Sequence, residues 1–351
     1  MSAAPATGLD DRSRDVLRTI IQLHVQTGEP VGSETLAQRL NRACSPATLR
    51  SIMADLERLG YLAHPHTSAG RVPTDEGHRF YVDGLMTARP LQKREAQAIE
   101  SQLKTGEGSP DQILESASHL LSRLTRNVAF VLAPDISRAA FGHVDLVRLP
   151  HPRVLVVMVA RSGLITNRVV ELEEELTQEE LQACANYLNA HCAGLSLTAI
   201  RSRLLDNMRE EKALYDSLLH HVVSVAERAF PEQGGEGSVY LDGASHMLEQ
   251  AHAQDLERLH ALFRTFEEKS RLVKILNGCI ADEGVRIYIG HENPDPDLRD
   301  LSLVTAGYPL EGEAGFGVGV LGSTRMEYAR VISVVDHVAR ALTEALRGLR
   351  A

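Results

Sequence analysis

The run Ser45-Pro-Ala-Thr-Leu-Arg-Ser51 holds the side chains best suited to chemistry, and that chemistry is hydrogen bonding to base edges and phosphates. Ser45 suits the cap of a helix that opens on Pro46, where a missing N–H costs nothing. Within that helix Leu49, Ile52, Met53 and Leu56 recur at i, i+3, i+4 and i+7, which makes one apolar face. Ala47, Thr48, Arg50 and Ser51 then point the other way. A guanidinium there can donate two hydrogen bonds to guanine. The Thr48 methyl and Ala47 suit thymine methyls, and the Ser45 and Ser51 hydroxyls suit phosphate or base. Farther on, Arg71 beside the small residues Ser68, Ala69 and Gly70 allows close approach to a sugar–phosphate chain. The competing use of such a helix is a protein contact.

Other patterns carry less. Gly317, Gly319 and Gly322 match the dinucleotide pattern GxGxxG, with Asp336 downstream. Only one helical stretch follows Gly322, so the second strand of a βαβ unit is missing. Phe316–Leu321 reads instead as a strand in which glycine permits tight packing. The chain has 15 histidines, among them His64, His66, His220, His221, His246, His252 and His260. None has HExxH spacing or a cysteine at ligand distance, so the expectation is no metal. No GxSxG elbow, Cys/His pair or carboxylate pair stands out. The expectation is therefore no catalytic residue, no cofactor and no enzyme activity.

The elements that position these residues follow from spacing. Val16, Leu17, Ile20, Ile21 and His24 form a first helix that stops at Gly28 and Pro30. Ser33 is the expected cap of a second, with Leu36, Ala37 and Leu40 inward. Tyr61–His64 and Arg71–Pro73 read as two short strands, and Thr74 as the cap of a further helix with Asp75 and Glu76 in its first turn. Three helices and a hairpin make a winged helix–turn–helix, whose third helix enters the major groove. From about Leu91 charged amphipathic helix takes over, and Gly106–Pro110 reads as a loop. Strands are expected at Asn127–Ala133, Phe141–Leu149, Arg153–Ala160 and Leu164–Leu172, then a helix at Thr177–His191. Two apolar stripes follow, Leu214, Leu218, Val222 and Val225, then Leu256, Leu259, Phe263 and Phe266, with a strand at Val239–Leu241 between. Strands return at Val285–Ile289, Leu301–Tyr308 and Phe316–Leu321, before a last helix from Met326 to Leu349. The expected fold class is multidomain α+β, with a mostly helical insertion near 200–280.

Composition bounds this reading. In a chain of 351 residues, 43 % are hydrophobic and 24 % charged, values of a folded protein of two or three domains. The longest apolar run, Val154–Ala160, is far short of the roughly 20 residues that span a bilayer. Residues 1–14 lack the cationic start and apolar stretch of a signal peptide, and Cys44, Cys184, Cys192 and Cys279 form no CxxC pair. The expectation is a cytoplasmic protein, with no membrane partner. The net charge of −10 argues against nucleic acid only until it is divided, because the five arginines within 36–74 meet only Asp55 and Glu57.

Several sets of residues are similar to one family. Ser45-Pro-Ala-Thr-Leu-Arg-Ser-Ile-Met-Ala-Asp-Leu-Glu57, Pro65-His-Thr-Ser-Ala-Gly-Arg-Val-Pro73 and Phe80-Tyr-Val-Asp83 resemble the heat-inducible transcription repressors HrcA. Thr27-Gly-Glu-Pro-Val-Gly-Ser33 fits as well. Near the other end, Ile289-Gly-His-Glu-Asn293, Val304-Thr-Ala306 and Gly322-Ser-Thr-Arg-Met-Glu-Tyr328 look like that family's C-terminal signature. The resemblance implies a winged helix over residues 1–90, a GAF-like α/β domain in two parts (91–200 and 281–351) and an inserted dimerisation domain over 201–280. It implies a homodimer on double-stranded DNA, bound to the inverted-repeat CIRCE operator of chaperone operons and released on heat shock. A GroE-type chaperonin is the implied folding partner. His66, Thr67 and Ser68 join Arg71 as wing contacts, and Leu259, Phe263 and Phe266 fall in the dimerisation domain. The family usually has Asn-Asp after the helix arginine, where Ser51 and Ile52 stand. Ser51 is too short for the paired adenine contact that asparagine makes, whereas Arg50 and Thr48 carry over. The rival readings are a winged-helix regulator whose GAF-like domain senses a small molecule and, more distantly, a nucleotide-using enzyme.

Overall fold

The computed structural model describes residues 9–40, 44–65, 70–87, 89–104, 110–133, 140–161, 165–197, 199–200, 202–204, 217–229, 239–246, 273, 275–276, 278–280, 284–308 and 316–348. Among these residues, no helix is long and apolar enough to cross a membrane.

Helix α1 (Asp11–Thr27) opens on Asp10, whose carboxylate accepts from the Ser13 N–H at 2.8 Å, and buries Val16, Leu17, Ile20 and Ile21. It ends at Gly28 in the left-handed region (φ 73°), the conformation that glycine adopts without steric cost. Helix α2 (Ser33–Arg39) departs from expectation at its start. Gly32 is its N-cap and makes no side-chain cap, while the Ser33 hydroxyl accepts instead from Arg50 Nε at 3.1 Å. Helix α3 (Pro46–Arg58) is capped by Ser45 as its sequence dictates, and it buries Leu49, Met53 and Leu56, with Ile52 half-buried. Strands β1 (Leu62–Ala63) and β2 (Val72–Pro73) pair antiparallel, two residues each. The Arg71 backbone adds a rung by bonding Val31 in both directions, at 2.9 and 3.0 Å. Gly70 lies so close to the Val31 backbone that a Cβ would sit 2.4 Å from it. Its smallness thus serves the packing of the hairpin on the α1–α2 link. Thr74 caps α4 (Asp75–Phe80), and a π-helical turn over Tyr81–Leu85 follows.

The rest of the chain is mixed α/β, with two antiparallel sheets. Helices α5 (Lys93–Lys104) and α6 (Pro110–Thr125) lead to β3 (Val128–Leu132). The expected loop at Gly106–Pro110 falls mostly outside the described residues, and Pro110 already belongs to α6. Next come β4 (Phe141–Arg148), β5 (Arg153–Ala160) and β6 (Ile165–Glu171), a three-stranded meander. Helix α7 (Gln178–His191), with a Thr177–Glu180 capping box, and helix α8 (Ser217–Ala229) pack on one face of it. After β7 (Val239–Asp242) come β8 (Gly284–Ile289), β9 (Leu301–Tyr308), β10 (Phe316–Ser323) and α9 (Tyr328–Gly348). Strands β7, β3, β10, β9 and β8 form the second sheet in that order. One of its faces buries Val131, Val304, Val318 and Val320 under α5, α6 and α9, and the other carries Phe130, Leu303 and Leu321 against Leu276 and Cys279.

This topology differs from the expected segmentation. The strands of 141–171 do not join those of 284–323 but make a sheet and core of their own with α7 and α8. The chain leaves the five-stranded sheet after Leu132 and rejoins it at Val239, the neighbour of Leu132 in the β3–β7 pair. Period-two alternation marks a residue's face in a sheet but not the partner strand, so spacing could not separate the two sheets. In β10 the glycines act as expected: a Cβ on Gly319 would lie 2.3 Å from the Phe130 ring, and one on Gly317 1.9 Å from Ile280.

Candidate nucleic-acid interface

The N-terminal turn of α3 presents Ser45, Ala47, Thr48, Arg50 and Ser51, all exposed. Ser45 Oγ accepts from the Thr48 N–H at 3.1 Å and lies 2.9 Å from Thr48 Oγ1, so the cap also fixes the threonine rotamer. Arg50 leaves 67 % of its side chain in solvent and leans toward α2, with Nε on Ser33 and Nη2 4.0 Å from Glu34 Oε1. An exposed contact of that length contributes little. The guanidinium can leave it for a base edge at small cost.

Arg71 is placed differently. Its Nε sits 2.8 Å from Glu57 Oε2, only 22 % of its side chain is exposed, and its backbone belongs to the Val31 bridge. It holds the base of the hairpin to α3, and a phosphate must displace Glu57 to reach that nitrogen. His66, Thr67 and Ser68, between β1 and β2 in the sequence, lie outside the described residues. Leu259, Phe263 and Phe266 do too.

Sequence reasoning missed the mounting of this module on the five-stranded core. Asp75, expected to serve the α4 dipole, accepts from both the backbone N–H (3.0 Å) and the ring Nδ1 (2.7 Å) of His291. Arg79 binds Glu292 through two nitrogens, with Nε–Oε1 at 2.8 Å, and donates to the Ile287 carbonyl at 2.7 Å. Glu292 holds the Arg79 guanidinium firmly in its charged form. Gly290, at φ 54°, takes the left-handed turn that brings its Cα against Asp75, where a Cβ would fall 1.9 Å from the carboxylate. Buried Asn293 braces the turn by donating to the carbonyls of Gly290, Leu298 and Leu301. The signal was the motif Ile289-Gly-His-Glu-Asn293, but nothing in the sequence joins it to residues more than 200 positions away.

His78 is buried at the same seam, its ring centroid 5.9 Å from that of Tyr328. Burial, aided by the charge of His24, pushes its pKa down to about 4, and burial also lowers His24. The unfolded chain therefore binds protons first as pH falls below the ordinary histidine value of about 6.5, so stability is complete above that value and is lost toward pH 4. Thermal melts between pH 7 and pH 5 are expected to show a loss of about 2 kcal/mol from His78 alone. His78→Gln should flatten that slope. An unchanged slope in this variant would exclude His78 as its cause.

Comparison with known proteins shows which family the chain resembles. The model of the HrcA protein C-terminal domain matches residues 111–332. The heat-inducible transcription repressor HrcA of Geobacter sulfurreducens is 40 % identical over 343 residues, covering 97 % of this chain and 99 % of its own. The repressor of the same name from Xanthomonas euvesicatoria pv. vesicatoria is 40 % identical over 346 residues, covering 99 % and 98 %. A solved structure of a hypothetical protein at 2.2 Å resolution shares the fold, with a TM-score of 0.63 at 23 % identity over 97 % of this chain and 99 % of that one. On these matches, which run nearly end to end, the chain belongs to the HrcA family of heat-inducible transcription repressors.

Proposed function

We propose that residues 1–90 are a winged helix–turn–helix that docks α3 in the major groove of double-stranded DNA and the β1–β2 hairpin beside it. The observation that carries this reading is the capped, exposed first turn of α3, with Arg50 held, among the described residues, by Ser33 and Glu34. Ser45, Ala47, Thr48 and Ser51 complete the reading surface, and His66, Thr67, Ser68 and Arg71 are the wing contacts. The operator is the CIRCE inverted repeat upstream of chaperone operons, whose transcription the bound protein blocks in the cytoplasm. Footprinting on the organism's own chaperone promoters tests this reading: protection of an inverted repeat is expected, and no protection would overturn it.

A palindromic operator calls for a two-fold symmetric protein, and we assign the symmetry to the inserted module. The sheet topology favours an insertion running from about 133 to 238, with the GAF-like domain made of 91–132 and 239–351. The outer face of β4–β5–β6 supports the dimer: Val147, Ile165 and Val169 are 43 %, 56 % and 51 % exposed, in register with Leu155 and Val159. Leu259, Phe263 and Phe266, an apolar stripe in the sequence, are the further residues we assign to dimerisation.

Heat release follows from stability. A marginally stable native state loses much of its population when roughly 1–2 kcal/mol is removed, and a multidomain chain refolds through aggregation-prone intermediates. A GroE-type chaperonin that refolds the repressor then sets the level of active dimer, and heat-denatured clients compete for it. Denatured protein is expected to regain operator binding much faster with chaperonin and ATP, and an added unfolded client should slow that recovery. Equally fast recovery without chaperonin would overturn the titration scheme.

A further inference from the structure

A cleft of about 840 Å³ opens at the seam between the N-terminal module and the five-stranded core, by the end of α1 and the start of α9. Its described lining includes four guanidinium groups, Arg18, Arg89, Arg126 and Arg325, and one carboxylate, Glu327. The volume suits a small molecule, for which sites run roughly 300–1,000 Å³. Arg18, Arg89 and Arg325 make the following contacts. Arg18 Nε donates to the Leu85 carbonyl at 3.2 Å with Nη1 on Asp15, Arg89 Nη1 meets Glu327 Oε1 at 3.1 Å, and Arg325 Nη1 donates to the Gly28 carbonyl at 3.4 Å. With Asp15 counted against Arg18, cations still outnumber carboxylates.

Arg126 is the telling residue. It ends α6 at φ 54°, and among the described residues it is the one non-glycine residue with positive φ. Its N–H closes the helix on the Ser122 carbonyl at 2.8 Å, the geometry that glycine serves without strain. Keeping a side chain there goes against the backbone, and such outliers collect where a side chain has a task. The task is set by the surroundings: Arg126 lines the cleft with three other guanidiniums, beside Tyr328 and Ala329 at the N-terminal, positive end of a 21-residue helix.

We propose that this cleft binds a small anion carrying two or more linked phosphates, with Arg126 and Arg89 on the phosphates and Arg18 and Arg325 completing the field. Guanidinium forks match phosphate oxygens in pairs, and four of them around one cleft suit an anion that offers more oxygens than a single phosphate does. The ligand would contact both sides of the seam, Arg18 and Arg89 from the N-terminal side and Arg126 and Arg325 from the core. The site is independent of which bases α3 reads.

The test is calorimetric titration of sodium tripolyphosphate into the full-length protein at about 0.15 M salt, where nonspecific charge effects are largely screened. Saturable binding, one ligand per chain, is expected. Arg126→Gly removes the guanidinium while suiting the backbone, so its melting temperature should equal or exceed that of the parent while binding weakens roughly tenfold or more. Arg50→Ala should leave the titration unchanged. No saturable binding at millimolar ligand, or full binding by Arg126→Gly, would overturn the proposal. Loss of binding in Arg50→Ala would overturn it too, because the phosphates would then be occupying the DNA-reading face.

Discussion

Arg50→Ala is expected to cost roughly 1–3 kcal/mol of specific operator binding while leaving binding to scrambled DNA nearly intact. The guanidinium stands on the exposed face of a capped helix, and its ties to Ser33 and Glu34 are long or neutral, so little opposes its transfer to a base edge. On the proposed docking, removing it deletes a paired contact to one base, and the loss falls on discrimination. Arg71→Ala acts otherwise: with Nε on Glu57 and its backbone in the Val31 bridge, it supports the hairpin. Its loss is expected to weaken operator and scrambled DNA alike and to flatten the salt dependence. Competition binding over a salt series separates the two. An unchanged operator preference in Arg50→Ala would remove α3 as the reading helix.

Charge placed on the proposed dimer contact is expected to have a larger effect. Val169→Glu sets a carboxylate in the exposed apolar face of the meander, and Phe263→Glu sets one in the apolar sequence stripe of Leu256, Leu259, Phe263 and Phe266. Each should yield monomers by light scattering. Losing the second tethered module lowers operator affinity by about 10²–10⁴-fold, because the second half-site contact is no longer intramolecular. Binding to a single half-site should be unchanged. If both variants stay dimeric, the contact lies elsewhere on the chain.

The N-terminal module was legible in the sequence because its signals are local. Ser45 and Pro46 start α3, Gly28 stops α1 and Thr74 caps α4, each through contacts within four residues. Even there Ser33 misled, since a serine at a helix start resembles a cap whether or not its hydroxyl is turned to Arg50. The strands of the core were also readable one by one, down to Arg153–Ala160. Their partition into two sheets was not, because alternation carries no address for a partner strand. The clamp of Asp75 and Arg79 on His291 and Glu292 stayed hidden for a related reason: exposed charged side chains at helix and loop positions look the same whether they meet water or another domain.

The pairing of β3 with β7 has a consequence for the tempo of folding. Leu132 and Val239 are adjacent in the sheet yet separated by more than a hundred residues of chain. In topological terms the two strands are a hairpin whose loop is an entire module. Closing a flexible loop of that length costs about 4 kcal/mol before any contact repays it, and contacts so distant in sequence slow a chain's search for its native state. If the meander and its helices collapse first, the ends are brought together and the closure becomes short. If they lag, β3 waits as an open edge of Val128, Phe130 and Leu132, three apolar side chains on one face that native packing covers. The order in which module and sheet form thus sets how long that apolar edge stays uncovered during folding.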